Sequence, residues 1–168
     1  MGSGKTTLGK AFARAMRLEF IDLDWYIESR FHRTVSQIFA ERGEGGFREM
    51  ERRMLHEVGE FEDVVIAAGG GTPCFFDNME YMNAAGQTVF LEVSTDVLLR
   101  RLKAGKAKRP LLAGKSDGEL LGTITAALAE RMPYYTRAAF RFDGGRLESR
   151  SQISASVARL KVLLGLDA

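Results

Sequence analysis

Apolar positions along the chain switch repeatedly between a helical and an extended spacing. Leu8, Ala11, Phe12, Ala15 and Met16 recur at helical intervals and predict a helix over about Thr6 to Met16. Leu18 to Leu23 is a short strand-like run ending in acidic residues. The spacing then predicts a helix from Trp25 to Phe31, and a second from Ser36, an expected N-cap, to Glu41. Phe47 to Phe61 has the pattern of a long amphipathic helix. Val64 to Ala68 is continuously apolar and stops at Gly69-Gly70-Gly71, as expected of a strand covered on both faces. A helix near Phe76 to Ala85, a strand over Thr88 to Val93 and a helix from Ser94 to Lys103 follow. Gly105, Pro110 and Gly114 break the pattern and predict a mobile loop over about 104–116. A helix from Asp117 to Tyr135, a strand at Ala139 to Phe142 and a helix to about Leu164 close the chain. Strands and helices alternating at this length predict an α/β fold. Its mostly parallel sheet should take ligand at the carboxyl ends of the strands.

Length changes that picture little: 168 residues suit one domain with a real core. Lys and Arg number 24 against 22 Asp and Glu. That balance does not call for nucleic acid or an anionic membrane as partner. The cations are uneven, however. Arg100, Arg101, Lys103, Lys106, Lys108, Arg109 and Lys115 crowd one stretch, a cluster able to serve a small anion. The one cysteine, Cys74, excludes a disulfide framework and reads as a buried small hydrophobe. No apolar run reaches the roughly 20 residues that cross a bilayer. The expected location is the cytoplasm, and the expected state a monomer.

Gly4-Lys5-Thr6 matches the last three positions of the phosphate loop G-x-x-x-x-G-K-[ST]. Counting back, the first glycine of the pattern falls two residues before Met1. Gly2, Ser3, Gly4 and Thr7 complete the stretch that should bind ATP. The glycines let backbone N–H groups turn onto a polyphosphate, and the following helix adds its positive end. Lys5 can reach the β- and γ-phosphates, and the Thr6 hydroxyl can ligate Mg²⁺. A flexible Gly-Ser-Gly linker is the bland alternative. It does not explain why Lys5-Thr6-Thr7 runs straight into an amphipathic helix. A buried central strand normally precedes such a loop. The expectation is therefore a three-layer P-loop kinase fold, its parallel sheet flanked by helices, without that first strand.

Asp22 and Asp24 end a strand, where alternation would turn both to one face. One carboxylate can organise a metal and the other can accept a proton from an attacking hydroxyl. Their ordinary role would be N-capping the next helix. Gly69-Gly70-Gly71 serves as a tight turn, yet three glycines exceed what a turn requires. A backbone without side chains lets a ring substrate lie against it. Arg109, with Pro110 after it, is either a solvated charge or a residue that closes over ATP. His32 and His56 have no partners at metal spacing and read as surface or structural.

The ordered set Met1 to Lys10, Asp22-Leu23-Asp24, Phe47-Arg48-Glu49-Met50-Glu51, Gly69-Gly70-Gly71, Arg109-Pro110-Leu111-Leu112 and Arg131-Met132-Pro133-Tyr134-Tyr135 resembles the shikimate kinase family over nearly the whole chain. The family transfers the ATP γ-phosphoryl group to the 3-hydroxyl of shikimate, on the way to chorismate and the aromatic amino acids. The resemblance implies that Asp24 contacts the hydroxyl and Asp22 belongs to the Mg²⁺ shell. Arg48, otherwise an ordinary surface arginine, would hold the shikimate carboxylate with Arg131. Glu51 would fix Arg48. Gly69, Gly70 and Gly71 would border the substrate, with the Gly70 N–H on a hydroxyl. The substrate-binding helices would span about 24–61, and Lys5, Asp24 and Arg109 would act in catalysis, Arg109 from the lid. Arg146 is the weakest match, on the adenine side of the ATP site. Related gluconate or nucleoside monophosphate kinases, and a non-catalytic ligand-binding homologue, are the alternatives.

Overall fold

The computed structural model of the protein describes residues 2–104 and 116–166. Arg109 and most of the expected lid lie outside the described residues. The chain runs α1 (Lys5–Met16), β1 (Glu19–Asp22), α2 (Leu23–Phe31), α3 (Val35–Gly59), β2 (Val64–Ala67), a 3-10 turn (Thr72–Cys74), α4 (Asn78–Ala85), β3 (Val89–Glu92), α5 (Thr95–Ala104), α6 (Asp117–Tyr135), β4 (Phe140–Asp143) and α7 (Arg150–Leu163). Alternating strands and helices are thus present, and all strand pairing is parallel.

Two boundaries differ from those the spacing predicts. The helices expected on either side of residues 42–46 form one segment, α3, broken at Gly43. Gly43 has φ 67° and ψ −178°, a conformation that interrupts a helix and that glycine reaches without strain. Thr34, not Ser36, caps it. The Thr34 side chain accepts from the Gln37 N–H, and Gln37 returns a bond to the Thr34 N–H, a reciprocal capping box. The second difference is at β1, which ends at Asp22, so that Leu23 opens α2 and is fully buried. Asp24 therefore stands in the first turn of a helix, and strand alternation does not set its direction. Asp22 is the N-cap, accepting from the Trp25 N–H at 3.4 Å.

Among the described residues the strands form two separate pairs, β1 with β2 and β3 with β4. Register is in step at Asp22 and Ala67 in one pair, and at Glu92 and Asp143 in the other. A cavity of about 1210 Å³ is lined by residues of both β2 and β3. Leu8, Phe12 and Leu160 help line it, as do Ser3, Lys5, Gly69 and Gly70. Val64, Val65 and Ile66 are half-buried, and among the described residues β2 pairs only with β1. The core is correspondingly divided. One cluster joins α2 and α3 through Leu23, Ile27, Phe47 and Met50. A second joins α1, β4 and α7 through Leu8, Phe12, Phe142 and Leu160. A third joins α5 and α6 through Leu98, Leu102, Leu120 and Ile124.

Candidate active site

The carboxyl ends of β1 and β2 and the start of α1 face one cleft. On its first side lies the phosphate loop. Gly2 and Gly4 take φ of 74° and 93°, a region that residues with a side chain enter only under strain. Gly4 is the N-cap of α1 and accepts from the Leu8 N–H at 2.9 Å. A Cβ on Gly4 would come within 2.5 Å of the Leu147 Cδ1, so a side chain there would push the Leu147 tip aside as well as strain the backbone.

The Thr6 hydroxyl donates to Asp22 Oδ2 at 3.0 Å. Thr6, Asp22 and Asp24 line a cavity of about 500 Å³ with Lys10, Phe20, Trp25 and Glu28. Packing around the Asp24 carboxyl pushes its pKa above the ordinary value. The charges of Asp22 and Glu51 push the same way, and Lys5 opposes them. Asp24 nonetheless keeps an exposed surface at the mouth of the cleft. An aspartate beside a lysine and a phosphate loop, harder than usual to ionise, is a candidate proton acceptor.

The triple glycine forms the second side. A Cβ on Gly69 would stand 2.9 Å from Thr72 Oγ1, 3.2 Å from Glu51 Oε1 and 3.3 Å from Asp24 Oδ1. One on Gly70 would stand 3.1 Å from Arg131 Nη1 and 3.3 Å from the Tyr135 hydroxyl. One on Gly71 would stand 2.6 Å from Arg48 Nη2. The turn thus brings Asp24, Arg131 and Arg48 to one backbone segment, although they come from α2, α6 and α3.

Glu51 organises this side from below. It is 1% exposed, accepts from Arg48 Nη1 at 2.7 Å, and accepts from the Thr72 hydroxyl at 2.6 Å. Burial makes such a pair sensitive to loss of either partner. The Arg48 guanidinium also lies 4.2 Å from the Phe75 ring centroid and 5.2 Å from that of Phe47. Aromatic faces of this kind hold a cation in place without occupying its hydrogen-bonding fork. The expected Arg48–Glu51 contact is present, and Phe75 and Thr72 are additions that sequence spacing did not single out.

Tyr135 is another addition. Its hydroxyl donates to the Gly70 carbonyl, and its ring lies against Phe90 at 5.2 Å. Burial raises its pKa, with Arg131 acting in the opposite sense. The sequence signal was present, since Tyr135 ends the Arg131 motif, but nothing in the spacing linked it to Gly70. Arg146 lies on the connection from β4 to α7 beside the phosphate loop and is exposed. Cys74 is half-buried rather than buried. Its thiol lies 4.0 Å from the Gly70 carbonyl, and burial raises its pKa, so thiolate chemistry is disfavoured. His32 is exposed at the end of α2, and His56 stacks on Tyr81 at 3.8 Å.

Among the described residues there is no group of three or more His, Cys, Asp or Glu that could hold a metal by itself. Thr6 with Asp22 supplies a hydroxyl and a carboxylate, hard oxygen donors suited to Mg²⁺ that also binds phosphate oxygens. Among those residues, too, no helix is long and apolar enough to cross a membrane.

A model of the shikimate kinase family matches residues 1–161. A curated shikimate kinase of Bacteroides thetaiotaomicron is 62% identical over 166 residues, covering 99% of this chain and 95% of that protein. Another, of Phocaeicola vulgatus, is 65% identical over 161 residues, covering 96% and 92%. The crystal structure of shikimate kinase from B. thetaiotaomicron aligns with a TM-score of 0.96 at 62% identity, covering 99% of this chain and 94% of that one. Shikimate kinase from Acinetobacter baumannii in complex with shikimate aligns with a TM-score of 0.82 at 30% identity, covering 99% and 90%.

Proposed function

The chain belongs to the shikimate kinase family, and we propose that it transfers the γ-phosphoryl group of ATP to the 3-hydroxyl of shikimate, on the route to chorismate and the aromatic amino acids. It is an ATP-dependent kinase with a P-loop α/β fold. One observation carries the choice of acceptor. A single glycine turn holds a carboxylate, Asp24, and two guanidinium groups, Arg48 and Arg131, around a surface stripped of side chains. A small ring bearing both a hydroxyl and a carboxylate fits that combination.

The phosphate-loop amides and Lys5 hold the polyphosphate, with Ser3, Thr6 and Thr7 on the same loop and helix start. Mg²⁺, held by Thr6 and through Asp22, would supply positive charge against the β- and γ-phosphates. Arg48 and Arg131 clamp the acceptor carboxylate in a planar, forked geometry. Asp24 accepts the hydroxyl proton as the oxygen attacks phosphorus. Its raised pKa brings it closer to that task than an ordinary aspartate. Gly69, Gly70 and Gly71 give the ring a flat floor, with the Gly70 N–H on a hydroxyl. By the family resemblance Arg109, outside the described residues, would act on the phosphoryl group, and Arg146 would serve the adenine side. Catalysis is then positioning and electrostatics, without a covalent intermediate. The monomeric state and cytoplasmic location belong to the same proposal.

A coupled assay for ADP release with shikimate, gluconate and AMP as acceptors tests it. Turnover with shikimate alone is expected. A chain that turns over gluconate or AMP and not shikimate would overturn the assignment.

A further inference from the structure

The glycine turn has to hold one shape without side chains of its own. A Cβ on Gly69, Gly70 or Gly71 would crowd Thr72, Arg131 or Arg48. Three glycines in a row also carry more backbone freedom than other residues, and a floor that meets a substrate in one shape has to lose it.

The carbonyls show where the restraint comes from. The Gly69 carbonyl accepts from the Thr72 N–H at 3.2 Å, and the Gly71 carbonyl from the Cys74 N–H at 2.9 Å. Both bonds are local, three residues along the chain. The Gly70 carbonyl between them accepts instead from the Tyr135 hydroxyl, 65 residues away at the C-terminal end of α6. The Cys74 thiol, 4.0 Å from the same oxygen, is a weak donor by comparison. Tyr135 thus ties the middle of the turn to a distant helix.

The peptide bond between Gly70 and Gly71 is trans, so its C=O and N–H point to opposite sides. Fixing the carbonyl on Tyr135 therefore fixes the direction of the Gly71 N–H as well. Arg131 stands beside the same hydroxyl: a Cβ on Gly70 would lie 3.1 Å from Arg131 Nη1 and 3.3 Å from the Tyr135 oxygen. Arg131 and Tyr135 are four residues apart on α6, one helical turn. The guanidinium assigned to the acceptor carboxylate and the hydroxyl that holds the floor thus rest on one element. Burial raises the Tyr135 pKa, against the pull of Arg131, so the phenol stays protonated and able to donate. Its ring is anchored separately, against Phe90 at 5.2 Å.

We propose that Tyr135 is a positioning residue for the acceptor: its hydroxyl fixes the Gly70–Gly71 peptide plane, so that the glycine floor meets a ring hydroxyl in one orientation and in register with Arg131. This rests on the acceptor assigned above.

Steady-state kinetics of the unsubstituted chain, Y135F and Y134F test it, with ATP, shikimate, 4-deoxyshikimate and 5-deoxyshikimate varied in turn. Turnover of shikimate by the unsubstituted chain checks the acceptor itself, independently of Tyr135. Y135F, which keeps the ring on Phe90, is expected to raise KM for shikimate about three- to tenfold, the range for one neutral hydrogen bond. KM for ATP should stay within about twofold, and Y134F should match the unsubstituted chain. With one of the two deoxy acceptors Y135F should cost less than about twofold, because the hydroxyl that the floor would have met is missing. An unchanged KM for shikimate in Y135F overturns the proposal. So does an equal rise for ATP or in Y134F, which would mean general damage. A full penalty with both deoxy acceptors also overturns it, since Tyr135 would then act on the ring by another route.

Discussion

Arg48 occupies its place only because residue 71 has no side chain: a Cβ on Gly71 would stand 2.6 Å from the Arg48 Nη2 and 2.9 Å from its Nη1. Backbone and guanidinium thus share one surface of the cleft. G71A is expected to push the guanidinium aside and raise KM for shikimate by about 10- to 100-fold, the range for loss of a charge-assisted bond. KM for ATP should change little. Steady-state kinetics with each substrate varied in turn would show the split.

Glu51 offers a stability test of the same side. With its carboxylate 1% exposed and Arg48 12% exposed, removing Glu51 takes the acceptor from the Thr72 hydroxyl and leaves Arg48 only the exposed Glu44, at 3.4 Å. E51A should cost about 3–5 kcal/mol and weaken shikimate binding, whereas R48M with E51L should recover stability but not binding. Chemical denaturation and shikimate titration measure the two quantities separately.

The raised pKa of Asp24 gives a pH dependence of defined sign. A folded-state pKa above 3.8 means that the native protein binds more protons than the unfolded chain in the window just above that value. The contribution of Asp24 to stability therefore declines as pH rises through that window. D24N should match or exceed the unsubstituted chain in melting temperature at pH 7, while kcat falls by about 10²–10⁴-fold. The acid limb of kcat/KM, reporting the ionised base, should lie above the ordinary aspartate value. A D24N protein with unchanged kcat would rule out the base assignment.

Thr6 and Asp22, joined at 3.0 Å, predict a metal dependence. EDTA should abolish turnover, and added Mg²⁺ should restore it. T6A and D22N should need higher Mg²⁺ for half-maximal rate while retaining shikimate affinity. Titration of Mg²⁺ at fixed ATP would read this directly.

Much of this molecule follows from local patterns. Period and composition suffice for the helices and strands, because each is stabilised within a few residues along the chain. Glycine-rich stretches stand out for the same reason, since their backbone freedom is a property of the residue itself. Local signals failed where two of them competed. Thr34 and Ser36 are both acceptable caps, and the choice of Thr34 depends on the reciprocal bond from Gln37. Asp22 and Asp24 look alike in sequence, but the burial of Leu23 starts α2 between them and gives them different neighbours.

The chain by itself determined the α/β alternation, the phosphate-loop residues and the family whose motifs it shares, all of which are short-range or ordered along the sequence. Only the tertiary structure decided that Gly69, Gly70 and Gly71 each face a different functional side chain, and that Tyr135 closes on Gly70. It alone placed Arg101 on the carbonyls of Gly2 and Ser3, 99 and 98 residues away. Such contacts are set by how parallel strands bring distant chain ends to one edge, and no periodicity within a helix or strand encodes that distance.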